Sequence, residues 1–591
     1  MWQQNWRSEI WSQLDQEWDL LIVGGGITGA GILREASHLG LKALLVDQRD
    51  FGWGTSSRSS KFVHGGLRYL KEGQIGLTRE SVHEREHLLN DGPGLVEPIG
   101  FLLATYKRDK IGRLVYRAGL SIYDLLALQW SHKYYSAADF QMFAPHIEFE
   151  GLKGGFQYRD AQTDDARLVL RLIREAVAHG RGHIQALNYT AAQELLRDDN
   201  GRVCGVMLAD QETGQSTAVQ AKVVINATGT WADELRAQVG GEAKIRPLRG
   251  SHLIFSNWRL PVAQVVTFLH PIDQRPVMIF PWEGTTIVGT TDVDHHSDLQ
   301  AEPCISATEV AYLMAAVASE FPSLNIQVED IIATFAGIRP VIGTGKLDPS
   351  EESRDHVVLV EKGLLTVTGG KLTTFRIIAR DALQAIQSDL PQMPPINEKA
   401  PILYPAPTSL PGADGLAANI RRRLLGRYGS DAPALIAAAQ PGELEPIAQS
   451  PVLWAEIRWA ARAEGVIHLD DLLLRRVRLG LLLPQGGQTE LPRIAEICRQ
   501  ELGWDEARWT AEEAVYTTLW QRCYNLPPLD EIPDWHNLIK ETEVETATSA
   551  SLTAGVTIHH PTGRKTFLAT ITVLTGLTLL LLLLINLKKR R

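Results

Sequence analysis

Gly24, Gly26 and Gly29 stand in the spacing Gly-x-Gly-x-x-Gly, after an apolar run over residues 19–23 and before a helical stretch over residues 27–39 that Gly40 stops. Glycines at this spacing let the backbone approach a pyrophosphate, and the helix that comes next turns its N–H groups and dipole toward the negative charge. A second apolar run, residues 41–47, ends in Asp47, an acid placed to accept a ribose hydroxyl. Glycine turns occur in many folds, so the spacing alone is a weak sign. Strand, helix, second strand and acid together make a dinucleotide-binding βαβ unit.

The glycines do not distinguish NAD from FAD, but the adjoining segment does. Thr55-Ser56-Ser57-Arg58-Ser59-Ser60-Lys61 presents hydroxyls and two cations where a bound dinucleotide extends toward its second half, and His64-Gly65-Gly66-Leu67-Arg68-Tyr69 prolongs it. Two later apolar runs end in glycines: residues 221–226 enter Ala227-Thr228-Gly229, and residues 364–368 enter Gly369-Gly370 before a helical stretch. One nucleotide-binding domain is therefore assembled from separated pieces, residues 15–90, 151–235 and 331–390.

Across the whole chain, 591 residues exceed what one core needs, and 44% hydrophobic with 22% charged residues fits a folded body. A net charge of −10 without a basic stripe gives no general attraction to nucleic acid. Residues 266–292, with β-branched runs broken by Gly and Pro, predict antiparallel strands of an inserted substrate domain, assigned to residues 91–150 and 236–330. Pro281 to Thr286 reads as one of its hairpins. After the Pro-rich connector 391–411, residues 400–535 predict a helical domain whose role its residues do not state. Cys204, Cys304, Cys498 and Cys523 lack Cys-x-x-Cys spacing, so neither a zinc site nor a disulfide framework is expected, and a reducing compartment fits best. Trp2, Trp6, Ile10 and Leu14 at helical spacing suit a short helix packed on its own domain better than one lying on a membrane.

The motifs resemble those of the FAD-dependent glycerol-3-phosphate dehydrogenase family, within the D-amino-acid oxidase-like fold group. Besides the glycine fingerprint and the two blocks at 55–69, the resemblance rests on Asp164-Asp165-Ala166-Arg167-Leu168-Val169-Leu170, Asn226-Ala227-Thr228-Gly229 and Gly250-Ser251-His252. It continues through Gly289-Thr290-Thr291-Asp292, Gly337-Ile338-Arg339-Pro340 and Gly369-Gly370-Lys371-Leu372-Thr373-Thr374-Phe375-Arg376, and runs from about residue 17 to the early 500s.

The resemblance implies an α/β Rossmann-like FAD-binding domain with an inserted antiparallel-sheet substrate domain and a C-terminal helical domain. It implies FAD as cofactor, held by Gly24, Gly26, Gly29, Asp47, Thr55, Ser56, Ser57, Ser60, Lys61, His64, Gly65, Gly229, Gly369, Gly370 and Thr373. The activity it implies is oxidation of sn-glycerol 3-phosphate to dihydroxyacetone phosphate, with electrons passed to a membrane quinone. Moving a hydride from a secondary alcohol requires orientation, a proton acceptor and cations for the phosphate. Arg339, Arg354 and Lys371 would supply the charge, Arg68 and Tyr69 further substrate contacts, and His252 the proton acceptor, with His64 as competitor. No metal is called for. An FAD-dependent oxidase acting on an amine or amino acid would keep the fingerprint but would not need the cationic clamp. An oxidase reducing oxygen, and a flavin-binding scaffold without catalysis, are the remaining alternatives.

The tail departs from that family. Residues 541–565 form a Thr/Ser/Ala-rich linker, and residues 566–587 run without a charge into Lys588-Lys589-Arg590-Arg591. At ~1.5 Å per residue this run can cross a hydrocarbon core of ~30 Å. The expectation is one C-terminal transmembrane helix anchoring a cytoplasmic body to the lipid bilayer. The terminal cations oppose that topology by the positive-inside tendency, which is overridden because the body carries no export signal. A homodimer is left open.

Overall fold

The computed structural model describes residues 2–539 apart from residues 4, 72, 110–111, 346–351 and 353–354. The chain divides into two units, residues 1–535 and residues 536–591. The expected linker and span lie outside the described residues, among which no helix is long and apolar enough to cross a membrane.

The three apolar runs that end in glycine come together as neighbours in one sheet. Trp18–Val23 lies between Ala43–Val46 and Ser216–Asn226, all parallel, with Leu20 opposite Ala43 on one side and Val223 on the other. Leu364–Gly369 adds parallel to Ser216–Asn226, and Ile184–Leu187 adds beyond Ala43–Val46. Parallel strands covered on both faces need unbroken apolar sequence, and Leu20, Leu21, Ile22, Leu44, Leu45, Val224, Ile225, Leu364 and Leu365 are all fully buried. Helices Ile27–His38, Asp165–His179 and Phe375–Ala385 contribute to the same core. His356–Glu361, Val203–Asp210 and Thr190–Arg197 extend the sheet antiparallel.

The second sheet has ten strands, including the long pairs Val96–Tyr106 with Leu152–Thr163 and Ile245–Ser256 with Ile331–Ile342. It is not wholly antiparallel as expected: Val265–Leu269 runs parallel to Val96–Tyr106. Leu152–Thr163 and Ile331–Ile342 belong to this sheet, although the sequence pattern assigns residues 151–235 and 331–390 to the nucleotide-binding domain. Each strand lies at the boundary between a stretch assigned to one domain and a stretch assigned to the other, so sequence position alone does not assign it. The hairpin expected at Pro281 is present, Pro281 opposing Thr286 around Glu283 and Gly284 at φ 46 and 86.

The helical region includes Ala418–Tyr428, Trp454–Ala463, a π-helical turn Asp471–Arg476, Leu491–Leu502 and Glu506–Cys523. Its seam with the nucleotide-binding part is buried and ionic: Arg167 grips Glu464 with both guanidinium nitrogens at 2.6 and 3.0 Å, and Arg427 meets Asp164 at 2.6 Å. Contrary to the expectation of no disulfide, Cys304 and Cys523 form one that closes 219 residues of sequence and joins the last long helix to the loop after Val293–Asp294. Spacing could not suggest it, because the two thiols meet only through tertiary folding. The N-terminal aromatic stripe is buried, Trp2 stacking on Phe51 with ring centroids 5.3 Å apart.

Candidate active site

The glycine turn occupies the end of the first strand, and each glycine meets a different constraint. Gly24 sits at φ +112, where a Cβ would lie 2.5 Å from the Ala227 carbonyl oxygen. A Cβ on Gly29 would lie 1.8 Å from the Gly24 carbonyl oxygen, so Gly29 packs the helix against the turn. Gly26 has an ordinary φ of −78, and a Cβ there would meet only the Ser56 hydroxyl at 3.1 Å.

The turn opens on a cavity of about 320 Å³. Gly24, Gly26, Asp47, Thr55, Ser56, Gly229, Gly369, Gly370 and Lys371 of the expected site residues line it. Asp47 accepts from the backbone N–H of Gly25 at 2.6 Å and of Arg49 at 2.9 Å. Desolvation pushes its carboxyl up to about 7 against those two donors. Ser56 Oγ accepts from the Ile27 N–H at 2.9 Å, fixing the first turn of the helix. A glycine-walled cleft between a strand end and a helix N-terminus, with an acid at the end of the next strand, fits a dinucleotide pyrophosphate and ribose.

Ser59 of the hydroxyl row also lines the cavity, whereas Ser57, Ser60 and Lys61 do not. Ser57 points back to the Trp53 carbonyl, and Ser60 Oγ lies 2.9 Å from His252 Nε2. Lys61, expected at the cofactor, is corrected: it is fully buried, bonding Asp165 at 2.9 and 3.0 Å and the Ser57 carbonyl at 2.7 Å. Burial and then Arg478 pull its ammonium down to about 7, opposed by Asp165. Lys61 departs because its backbone turns to φ 63 and its side chain pairs with a buried carboxylate. Gly65 is also a packing residue, since a Cβ there would strike the Tyr123 hydroxyl. His64 and Thr373 are tied together, the Thr373 hydroxyl accepting from the His64 N–H at 3.1 Å and donating to its carbonyl at 3.2 Å.

Two cations lie in or beside the cavity wall. Lys371 Nζ lies 3.5 Å from the Tyr69 ring centroid and 3.4 Å from Ser81 Oγ. Arg339, one residue before Pro340 of the cavity wall, reaches Asp292 at 3.1 Å and the Thr290 hydroxyl at 3.0 Å. His252 stacks on Phe335, the ring centroids 4.4 Å apart, and burial followed by Arg339 and Lys61 holds it neutral, well below the usual histidine range. Arg354 and the Arg68 side chain lie outside the described residues.

Residues outside the expected site set also hold or line the site. Asp165 accepts from the Ser59 N–H and hydroxyl, Lys61 and Arg478. Its place in the Asp164-Asp165-Ala166-Arg167 block was the available signal. Trp53, Trp231 and Gln193 also line the cavity and had no motif to announce them.

Comparison with known proteins identifies the family. The FAD dependent oxidoreductase family matches residues 19–376, and the C-terminal domain of alpha-glycerophosphate oxidase matches residues 374–509. The aerobic glycerol-3-phosphate dehydrogenase of Staphylococcus aureus (strain USA300) is 35% identical over 494 residues, covering 78% of this chain and 87% of that one. The FAD complex of the glycerol-3-phosphate dehydrogenase from Bacillus halodurans superposes with a TM-score of 0.71 at 28% identity, over 88% of this chain and 98% of that one. The L-alpha-glycerophosphate oxidase from Mycoplasma pneumoniae shares the fold at a TM-score of 0.51 and 20% identity, over 67% of this chain and 100% of that one. The chain belongs to the FAD dependent oxidoreductase family, and it is an oxidoreductase whose cofactor is FAD.

Proposed function

We propose that the protein oxidises sn-glycerol 3-phosphate to dihydroxyacetone phosphate and delivers the electrons to a membrane quinone. The observation that carries this reading is an FAD cleft with Lys371 in its wall and Arg339 next in sequence to Pro340 of that wall, in a chain whose relatives are named for that activity. When bound, FAD supplies the hydride acceptor. Arg339 and Lys371, joined by Arg354 and Arg68, hold the substrate phosphate and keep the alcohol carbon in register. Tyr69 carries Lys371 on its ring face. His252 takes the hydroxyl proton on its neutral ring, with Ser60 Oγ 2.9 Å from Nε2.

A lipid-borne acceptor is supported by the surface of helix Arg113–Ala127 and the turn after it. Leu114, Leu128 and Trp130 are 79%, 82% and 73% exposed, Val115 and Leu125 are exposed beside them, and Arg113 and Arg117 flank them. An exposed apolar stripe edged by cations suits an anionic bilayer surface. In this reading residues 566–587 add a spanning anchor, and the body stays in the cytoplasm.

Anaerobic mixing with glycerol 3-phosphate tests the substrate: the oxidised flavin absorption should bleach. Bleaching by an amino acid and not by glycerol 3-phosphate would overturn the reading. With substrate established, oxygen consumption in place of quinone reduction would overturn the acceptor.

A further inference from the structure

We infer that the helical domain is a clamp on the FAD site: Arg475, Arg476 and Arg478 position the two cofactor loops and set how tightly FAD is held. All three arginines are almost wholly buried, and they leave the helical domain at or just after one π-helical turn, Asp471–Arg476. Single π-turns are rare and recur at functional sites.

The first loop follows Asp47 of the cavity wall. Arg475 Nε reaches Asp50 at 2.6 Å, and Arg476 reaches both Asp50 oxygens at 2.6 and 2.7 Å. Asp50 in turn shapes the loop, its carbonyl accepting from the Trp53 N–H at 3.0 Å, while the Gly52 N–H donates to the Gly25 carbonyl at 2.9 Å inside the glycine turn. The second loop carries Thr55 and Ser56 of the cavity wall. Arg478 donates to the Ser57 carbonyl at 2.8 Å and to Asp165 at 2.7 Å, and Asp165 also holds Ser59. A third grip reaches the same loop indirectly, because Tyr524 bonds Glu302, which bonds Arg58, which donates to the Trp53 and Gly54 carbonyls.

None of the three arginines lines the cavity, so they act through Asp50, Ser57 and Asp165 and are positioning residues. Hydrogen bonds to buried charged groups are short and directional, so losing one releases the loop it fixes. Linkage makes the relation reciprocal: if the clamp tightens the FAD site, FAD must tighten the clamp.

That reciprocity is tested on the unmodified protein. Hydrogen exchange of the whole chain, with FAD and after its removal, should show FAD slowing exchange at residues 472–479 and leaving Leu491–Leu502 unchanged. Equal exchange at 472–479 in both states would overturn the inference. A variant pair supplies the second readout. Arg478→Lys keeps a cation but loses the planar guanidinium, one nitrogen of which bonds both Ser57 and Asp165 while the other bonds the Leu474 carbonyl, and should raise the FAD dissociation constant about 10-fold, within the range of roughly 5- to 150-fold typical of coupled sites. Arg458→Lys is the control, since Arg458 is also buried but bonds Glu443, Gln500 and Glu501, all inside the helical domain. It should lower the melting temperature without changing FAD affinity. Equal loss of FAD from both variants would mean general destabilisation and would overturn the clamp.

Discussion

Replacing Gly24 and Gly26 in turn by alanine should separate two reasons for a glycine. At Gly24 the methyl group would sit 2.5 Å from the Ala227 oxygen and 2.7 Å from its carbon, on a backbone at φ +112. Strain at such a φ and overpacking against backbone each cost about 1–3 kcal/mol, so apo Gly24→Ala should lose about 2–6 kcal/mol of stability. At Gly26 the φ of −78 suits any residue, and the one close neighbour is the Ser56 hydroxyl at 3.1 Å, which has to give by only a few tenths of an ångström and can keep its bond to the Ile27 N–H. A lower chain entropy in the unfolded state offsets a poorer N-cap there, leaving apo Gly26→Ala within about 1 kcal/mol of the parent. Its methyl group nevertheless occupies the place where a pyrophosphate meets the helix N-terminus. Loss of one charge-assisted hydrogen bond, about 1.5–3 kcal/mol, predicts about 10- to 150-fold weaker FAD binding. Thermal unfolding of the apo proteins and fluorescence titration with FAD measure the two quantities separately. The reasoning fails if Gly26→Ala binds FAD like the parent, or if Gly24→Ala melts where the parent does.

Three further outcomes are expected. Arg339→Ala should lower kcat/KM for glycerol 3-phosphate by about 30- to 1,000-fold per bound FAD, corresponding to about 2–4 kcal/mol of transition-state stabilisation, and turnover near the parent's would count against the clamp on substrate. His468 lies against Glu212 at 3.1 Å and Glu512 at 3.0 Å; burial opposes its charge, but the two carboxylates raise it to about 10. Because the folded value exceeds the unfolded 6.5, its stabilisation is complete below pH 6.5 and is lost as pH rises toward 10, so His468→Gln should cost about 1–3 kcal/mol at pH 6 and much less at pH 10 in urea titrations. Replacing Leu114 and Leu128 together by glutamate should weaken binding to anionic vesicles while dye-coupled turnover stays at the parental level, and unchanged vesicle binding would remove this surface from the membrane proposal.

The nucleotide-binding sheet was readable because doubly covered parallel strands leave apolar runs, and glycines where those runs end mark the ligand edge. The hydroxyl row was readable only in part. Thr55 and Ser56 face the cavity, whereas Ser57, Ser60 and Lys61 turn inward, a division set by the short helical turn Thr55–Ser57 and the φ of 63 at Lys61. Nothing in the residue types announces that turn. The Cys304–Cys523 bridge and the grip of Arg476 on Asp50 join residues far apart in sequence, so only tertiary folding brings them together. Arg475, Arg476 and Arg478 belong to no motif in the sequence, and only the folded seam shows their partners.

The strand order of the first sheet has a consequence for biosynthesis. Ser216–Asn226 is flanked by Trp18–Val23 and Leu364–Gly369, so the central parallel strands leave the ribosome in three widely separated instalments. Until the last arrives, the Val224 and Ile225 edge has no Leu364–Gly369 to pair with, and the Gly369-Gly370 wall of the cavity does not exist. Nascent chain that has passed residue 226 but not 369 therefore carries an open apolar strand edge, the kind of surface that aggregates or recruits chaperones. FAD capture consequently waits until residue 370 of the 591 has been made, with the helical domain still to come.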